Sequence, residues 1–220
     1  MRCASFSLLT ILCLMLAVAP AMANTVYSNG PYNGTAYAWT INFGYAVSDS
    51  FTVPQNWYGY IDGFHFVYWD ASPTDVLTTV DLAMGSTSFG TDLFFGTLTG
   101  VTNTFLGTTQ YGGDTYFLYE ADYTFGPISV WQGGYAGYVT LQNACTTSGC
   151  SFINPIYWDE NSGPSTAYEN TLGSIASESF TLTGTSYCYW CGTTPEPSSI
   201  MLFGSGILGL AGVLRRRLNI

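Results

Sequence analysis

Apolar side chains recur at every second position through the middle of this chain, and that rhythm excludes most helical folds. Val76, Thr78, Val80, Leu82 and Met84 alternate with Leu77, Thr79, Asp81 and Ala83, giving a period of two with one largely apolar face. From Tyr116 to Phe125 the same pattern sets Phe117, Tyr119, Ala121, Tyr123 and Phe125 against Leu118, Glu120 and Asp122. Further strands are predicted over 37–47, 50–53, 60–69, 92–98, 102–107, 138–142 and 178–183. Turn residues separate them at Gly85-Ser86, Gly112-Gly113-Asp114, Gly133-Gly134 and Asn161-Ser162-Gly163-Pro164. Between Asn24 and Gly192 there is no heptad and no long stretch of helical period, and aromatic, threonine and glycine residues dominate, as pleated strands and tight turns select. No internal repeat argues for a propeller or solenoid. The expected fold is all-β, a single β-sandwich or jelly-roll-like domain.

The charge pattern is as restrictive for function. The chain's four basic residues are Arg2, Arg215, Arg216 and Arg217, so residues 24–194 hold neither lysine nor arginine. Setting Glu196 aside from the 14 acidic residues leaves 13 carboxylates in that body with no countercharge. Lys/Arg salt bridges cannot stabilise it. Nucleic acid is excluded as a partner because phosphate affinity requires cationic side chains. Anionic lipid and phosphorylated ligands are disfavoured for the same reason. A neutral glycan, a protein or a divalent cation remains compatible.

The two ends read as targeting segments. Arg2, an apolar stretch from Phe6 to Val18 and the small-x-small site Ala21-Met22-Ala23 together make residues 1–23 a secretory signal peptide, with the mature chain starting near Asn24. The apolar stretch is about 13 residues, short of the roughly 20 that cross a bilayer. Cys13 lacks the small residues that precede a lipidation site. Residues 193–220 run from a short linker through Pro195-Glu196-Pro197 to an uncharged hydrophobic helix at about 199–214, then to Arg215-Arg216-Arg217. With its flanking serines and snorkelling arginines, this helix reaches the lower limit for a transmembrane span. The arginines hold the C-terminus in the cytoplasm and leave residues 24–192 outside as the extracytoplasmic domain. Gly204, Ser205, Gly206, Gly209 and Gly212 give the helix a small-residue surface.

The order of these three parts resembles the PEP-CTERM sorting signal of exported proteins from Gram-negative bacteria that make extracellular polysaccharide. The resemblance implies processing by a membrane-embedded exosortase acting near Pro195, Glu196 and Pro197, with anchorage at the inner membrane beforehand and release or transfer to the cell surface afterwards. In that family Pro195, Glu196, Pro197 and Arg215 to Arg217 are recognised by the processing enzyme and carry no chemistry of their own. The body also resembles the β-sandwich domains that precede this signal. Residues 46–53, 157–168 and 177–183 carry that likeness, which implies architecture without an activity.

Four cysteines remain in the mature chain: Cys145 and Cys150, and Cys188 and Cys191. An oxidising exported compartment and an even count favour disulfides, with the two local pairs preferred to crossed pairing. A four-cysteine zinc site and a Cys-Tyr-Trp-Cys redox centre are the competing readings.

The densest chemistry in the body is Tyr157, Trp158, Asp159, Glu160 and Asn161, read here as a loop. Two aromatic faces beside oxygen-bearing side chains suit sugar stacking, or a contribution to a calcium site as the sole candidate cofactor. The spacing lacks the alternation of a calcium loop, and the plainer expectation is a turn anchored by Tyr157 and Trp158 in the core. Residues 57–60 and 131–135 are secondary aromatic candidates. His65, the only histidine, sits in a strand-like run, where ordinary packing is expected. No Gly-x-Ser-x-Gly elbow accompanies it. Pairing Asp159 or Glu160 with Glu120 or Asp122 would supply glycosidase carboxylates, but sequence does not set their separation. The expected function is an exported, noncatalytic structural, adhesive or glycan-binding protein of the cell envelope or extracellular matrix. A secreted polysaccharide hydrolase is the alternative.

Overall fold

The computed structural model describes residues 24–34, 37–130, 133–150 and 154–186 of the 220-residue chain. Among the described residues there is no helix, and the strands form two sheets. One runs in the order β1 (Asn24–Ser28), β14 (Phe180–Ser186), β4 (Gly59–Asp70), β10 (Tyr157–Asn161) and β13 (Ser177–Glu178). It is extended by β2 (Ala38–Thr40) on β10, and by β8 (Asp114–Val130) and β7 (Thr102–Tyr111) across the other side of β4. The second runs β12 (Gly173–Ile175), β11 (Ala167–Glu169), β3 (Ala46–Thr52), β9 (Ala136–Thr146), β5 (Leu77–Gly85) and β6 (Phe94–Thr99). Every pairing is antiparallel, so the all-β reading holds and the two sheets make a β-sandwich.

Alternation decides which side chains fill the space between the sheets. Phe64, Phe66 and Tyr68 of β4 join Tyr119, Ala121 and Tyr123 of β8, Phe180 and Leu182 of β14, and Trp158 of β10 in one buried cluster. Val80, Leu82 and Met84 of β5 and Val139 and Leu141 of β9 supply the second sheet's share. Phe66 and Trp158 meet edge to face with ring centroids 6.0 Å apart, a favoured quadrupole arrangement. The period-two reading of β8 is therefore correct. In β5 it slips at the start. Leu77 is buried although the phase of Val80 assigns it outward, because the register shifts between Leu77 and Asp81. A bulge there lets the Thr78 hydroxyl donate to the carbonyls of Cys145 and Thr146.

Elsewhere the boundaries move for local reasons. The strand expected over 37–47 breaks after Thr40, since Phe43 and Gly44 adopt φ of 60° and 87° and Tyr45 donates to the Asn42 carbonyl. Between β7 and β8, Gly112 and Gly113 have φ of 64° and 97°. This positive pair closes a two-residue hairpin whose twist matches the strands, so β7 extends to Tyr111.

Cys145 and Cys150 form a disulfide, the first of the two expected local pairs, with a Cα separation of 4.4 Å. Asp75 organises the same loop, accepting from Thr146 Oγ1, Thr147 Oγ1, the Ser148 amide and Asn154 Nδ2. Desolvation pushes its pKa up, but these donors outweigh it and hold the carboxyl below the usual range. Cys188 and Cys191, the expected signal peptide, the sorting motif and the expected hydrophobic helix lie outside the described residues. Among the described residues no helix is long and apolar enough to cross a membrane.

Candidate functional site

Residues 157–161 are a strand, which corrects the loop reading. Tyr157 and Trp158 pair with Trp69 and Tyr68 of β4 on one side, and Trp158 with Trp39 of β2 on the other. Trp158 points between the sheets, fully buried, and its indole Nε1 donates to the Ser179 carbonyl at 2.8 Å. It has no free ring face on which a sugar could stack. Asp159 points the opposite way and is also fully buried. The reason is the segment before β2, which folds over it. The amides of Asn33 and Gly34 donate to its two oxygens at 3.1 and 3.2 Å, and Trp69 Nε1 adds a bond of 2.6 Å. Burial nevertheless dominates, raising the Asp159 pKa from 3.8 to about 6. Asn161 is buried, donates to the Asn29 carbonyl and accepts from the Gly163 amide and the Ser177 hydroxyl. Glu160, half-buried, accepts from Trp39 Nε1. Tyr157 is half-buried and packs edge to face on Tyr116, with its phenol pushed up to about 12 chiefly by burial. Four of the five side chains thus serve as fastenings between β10 and its neighbours.

A second buried acidic group lies at the sandwich edge beside β10. Asp49 Oδ2 accepts from Asn29 Nδ2 and from the Glu178 amide. Desolvation raises Asp49 to about 6 and pushes Glu178 well above the ordinary range, with Asp49 adding to the rise at Glu178. Burial thus disfavours the ionised form of Glu178, since no cation meets it among the described residues.

The accessible polar side chains are elsewhere. His65, Val67 and Trp69 of β4 face away from the core, and so do Glu120 and Asp122 of β8. Register places His65 directly opposite Asp122, and Val67 opposite Glu120. His65 Nδ1 contacts Asp122 Oδ1, and the two side chains are about one-third exposed, at 32% and 33%. One ligating atom from each of His65, Glu120 and Asp122 lies within 4.8 Å of the others. On β14, Thr181 stands beside His65, and Thr183 Oγ1 lies 3.4 Å from His65 Nε2. Gly63 makes that last contact possible, because a Cβ there would lie 2.2 Å from the Thr183 hydroxyl oxygen.

A cavity of about 350 Å³ opens over this face. Pro31 and Tyr32 form one wall, Val67 is part of the lining, and His65, Glu120, Ser28 and Thr181 supply polar groups. Tyr32 is 40% exposed. Sequence reasoning named His65 alone, offered Glu120 and Asp122 only as partners for Asp159 or Glu160, and missed the constellation. The available signal was their phase: all three occupy the side of their strands opposite the aromatic residues that fill the core. The register that brings them together is not written in either strand alone. Of the secondary aromatics, Trp57 is buried and Tyr58 is exposed, while Trp131 and Gln132 lie outside the described residues.

Residues 193–217 match the family model described as the PEP-CTERM protein-sorting motif. The chain carries this sorting motif. The PEP-CTERM match is confined to the tail, and it implies an exported protein, anchored in the membrane before processing by exosortase, a membrane protease. Neither the curated proteins nor the solved structures compared with this PEP-CTERM chain contain a match.

Proposed function

We propose that this PEP-CTERM protein is a noncatalytic component of the extracellular matrix whose sandwich binds a neutral polysaccharide at the cavity beside Tyr32. Residues 1–23 direct export, the apolar segment at about 199–214 holds the chain in the inner membrane, and cleavage near Pro195-Glu196-Pro197 passes the body to the surface. The observation that carries the binding reading is the cavity's lining. A half-open tyrosine ring stands beside the hydroxyls of Ser28 and Thr181, a carboxylate and an imidazole, which is the mixture a sugar ring uses for stacking and hydroxyl recognition. The absence of lysine and arginine from residues 24–194 favours an uncharged saccharide over an anionic one.

The test is a glycan array probed with the full chain and with Tyr32→Ala. Retention of neutral polysaccharides by the wild type, weakened about tenfold or more by the substitution, is the expected result; a π-face lost from a sugar site is worth on the order of 1–2 kcal/mol. Arrays that stay blank with the wild type would remove the proposal. Release of reducing ends from a bound polysaccharide would replace it with hydrolysis.

A further inference from the structure

We propose that His65, Glu120 and Asp122 form a binding site for one divalent transition-metal ion, with zinc as the fitting example, on the outer face of the β4–β8 pair. The inference does not depend on saccharide binding. Its first support is geometric: an imidazole nitrogen and two carboxylate oxygens from adjacent strands already lie within 4.8 Å of one another. With bonds of about 2.1 Å, tetrahedral neighbours sit roughly 3.4 Å apart, so closure needs only rotation of side chains that are partly exposed. The strands beneath are the best-paired in the sheet, since β4 is flanked by β14 and β8 over most of its length. The ligands therefore project from a rigid base.

Electrostatics supports the same assignment independently. Glu120 and Asp122 are two residues apart on one face, and no lysine or arginine exists in residues 24–194 to neutralise them. A divalent ion held by a neutral imidazole and two carboxylates makes a site of zero net charge. The nitrogen ligand separates this site from a calcium site, which takes six to eight oxygens, and favours zinc, copper or nickel.

The surroundings supply the remaining parts. If the ion takes Nδ1, Asp122 changes from hydrogen-bond partner to ligand and the Nε2 proton is left facing the Thr183 hydroxyl. Such an outer contact fixes the tautomer and the ring orientation of a ligating histidine. Gly63 preserves the room for that hydroxyl. The adjoining cavity, lined by His65 and Glu120, leaves space for water or an exogenous oxygen to complete the coordination.

The decisive experiment titrates zinc alone into the full chain, with free thiols alkylated beforehand, while following the imidazole by NMR. Because the chain has a single histidine, its ring signals belong to His65 without further assignment. We expect saturation at one equivalent, a shifted His65 nitrogen resonance, and affinity reduced at least about tenfold in both Glu120→Gln and Asp122→Asn, with melting temperatures near that of the wild type. Gly63→Ala, which crowds Thr183, is expected to weaken zinc by a smaller factor. Ring signals unmoved by millimolar zinc, or equal affinity in the wild type and Asp122→Asn, would overturn the proposal. So would an equal response to calcium or magnesium, since the site would then lack selection by its nitrogen.

Discussion

Asp159 and Asp122 stand on the same outer face of the same sheet, yet their surroundings are opposites. The segment before β2 folds over Asp159, gives it two backbone donors and seals it with the Trp69 indole. No such roof reaches Asp122, which stays one-third exposed against His65. Their carboxyl chemistry is identical; what separates them is a short covering segment. A carboxylate with enough donors and a roof becomes a structural fastening, whereas one left at the margin of a cavity keeps its oxygens for a ligand. The contrast predicts that substitutions on the β10 side cost stability, while those at His65 cost binding.

The largest test removes the core side of β10. Trp158→Ala deletes a fully buried indole that touches Phe64, Phe66 and Phe180, and it leaves the Ser179 carbonyl without its donor. A loss of about 3–5 kcal/mol is expected in urea unfolding at constant slope. A loss under about 1 kcal/mol would mean that this strand is not the fastening described, and Trp158 would return as a binding candidate.

The next test reads Asp159 through pH. Its folded pKa, about 6, lies above the ordinary 3.8, so the fold favours the protonated form. The stability that this group contributes is complete below about pH 4 and is lost as pH rises through 6. Between pH 5 and 7.5 the unfolded chain is ionised throughout while the folded chain gives up its proton, a difference on the order of 1 kcal/mol. Asp159→Asn should flatten the stability profile by that amount across this window. Asp49 and Asp70 are raised to about 6 chiefly by burial as well and tilt the profile the same way. An unchanged slope in Asp159→Asn would show that the roof over this carboxyl is open in solution.

The same contrast explains how much could be read before the fold was known. Alternation in β5 and β8 revealed strands, and the apolar side of β8 was identified correctly through Tyr119, Ala121 and Tyr123. The break at Phe43-Gly44 escaped because a positive φ at a phenylalanine has no propensity signal. Residues 157–161 were conspicuous because their polar and aromatic groups are contiguous, and contiguity in a strand sends neighbours to opposite faces. Trp158 thus went to the core and Asp159 under the roof. His65 and Asp122 are 57 positions apart and meet only through the β4–β8 register, a long-range property that neither strand's composition contains.

The smallest expected effect is the most discriminating. His65→Gln removes the imidazole from a position that supports no core contact, and the Gln amide can still donate toward Asp122. Its stability should stay within about 0.5 kcal/mol of the wild type, as surface replacements usually do. If His65 instead served chiefly to hold β4 against β8, its removal would loosen that pair by taking the imidazole away from Asp122, and the variant would melt early. Near-wild-type unfolding of His65→Gln together with lost zinc response assigns the residue to ligand binding. Early melting with zinc response intact assigns it to the scaffold, and the division drawn here between a roofed and an open carboxylate would fail at its open end.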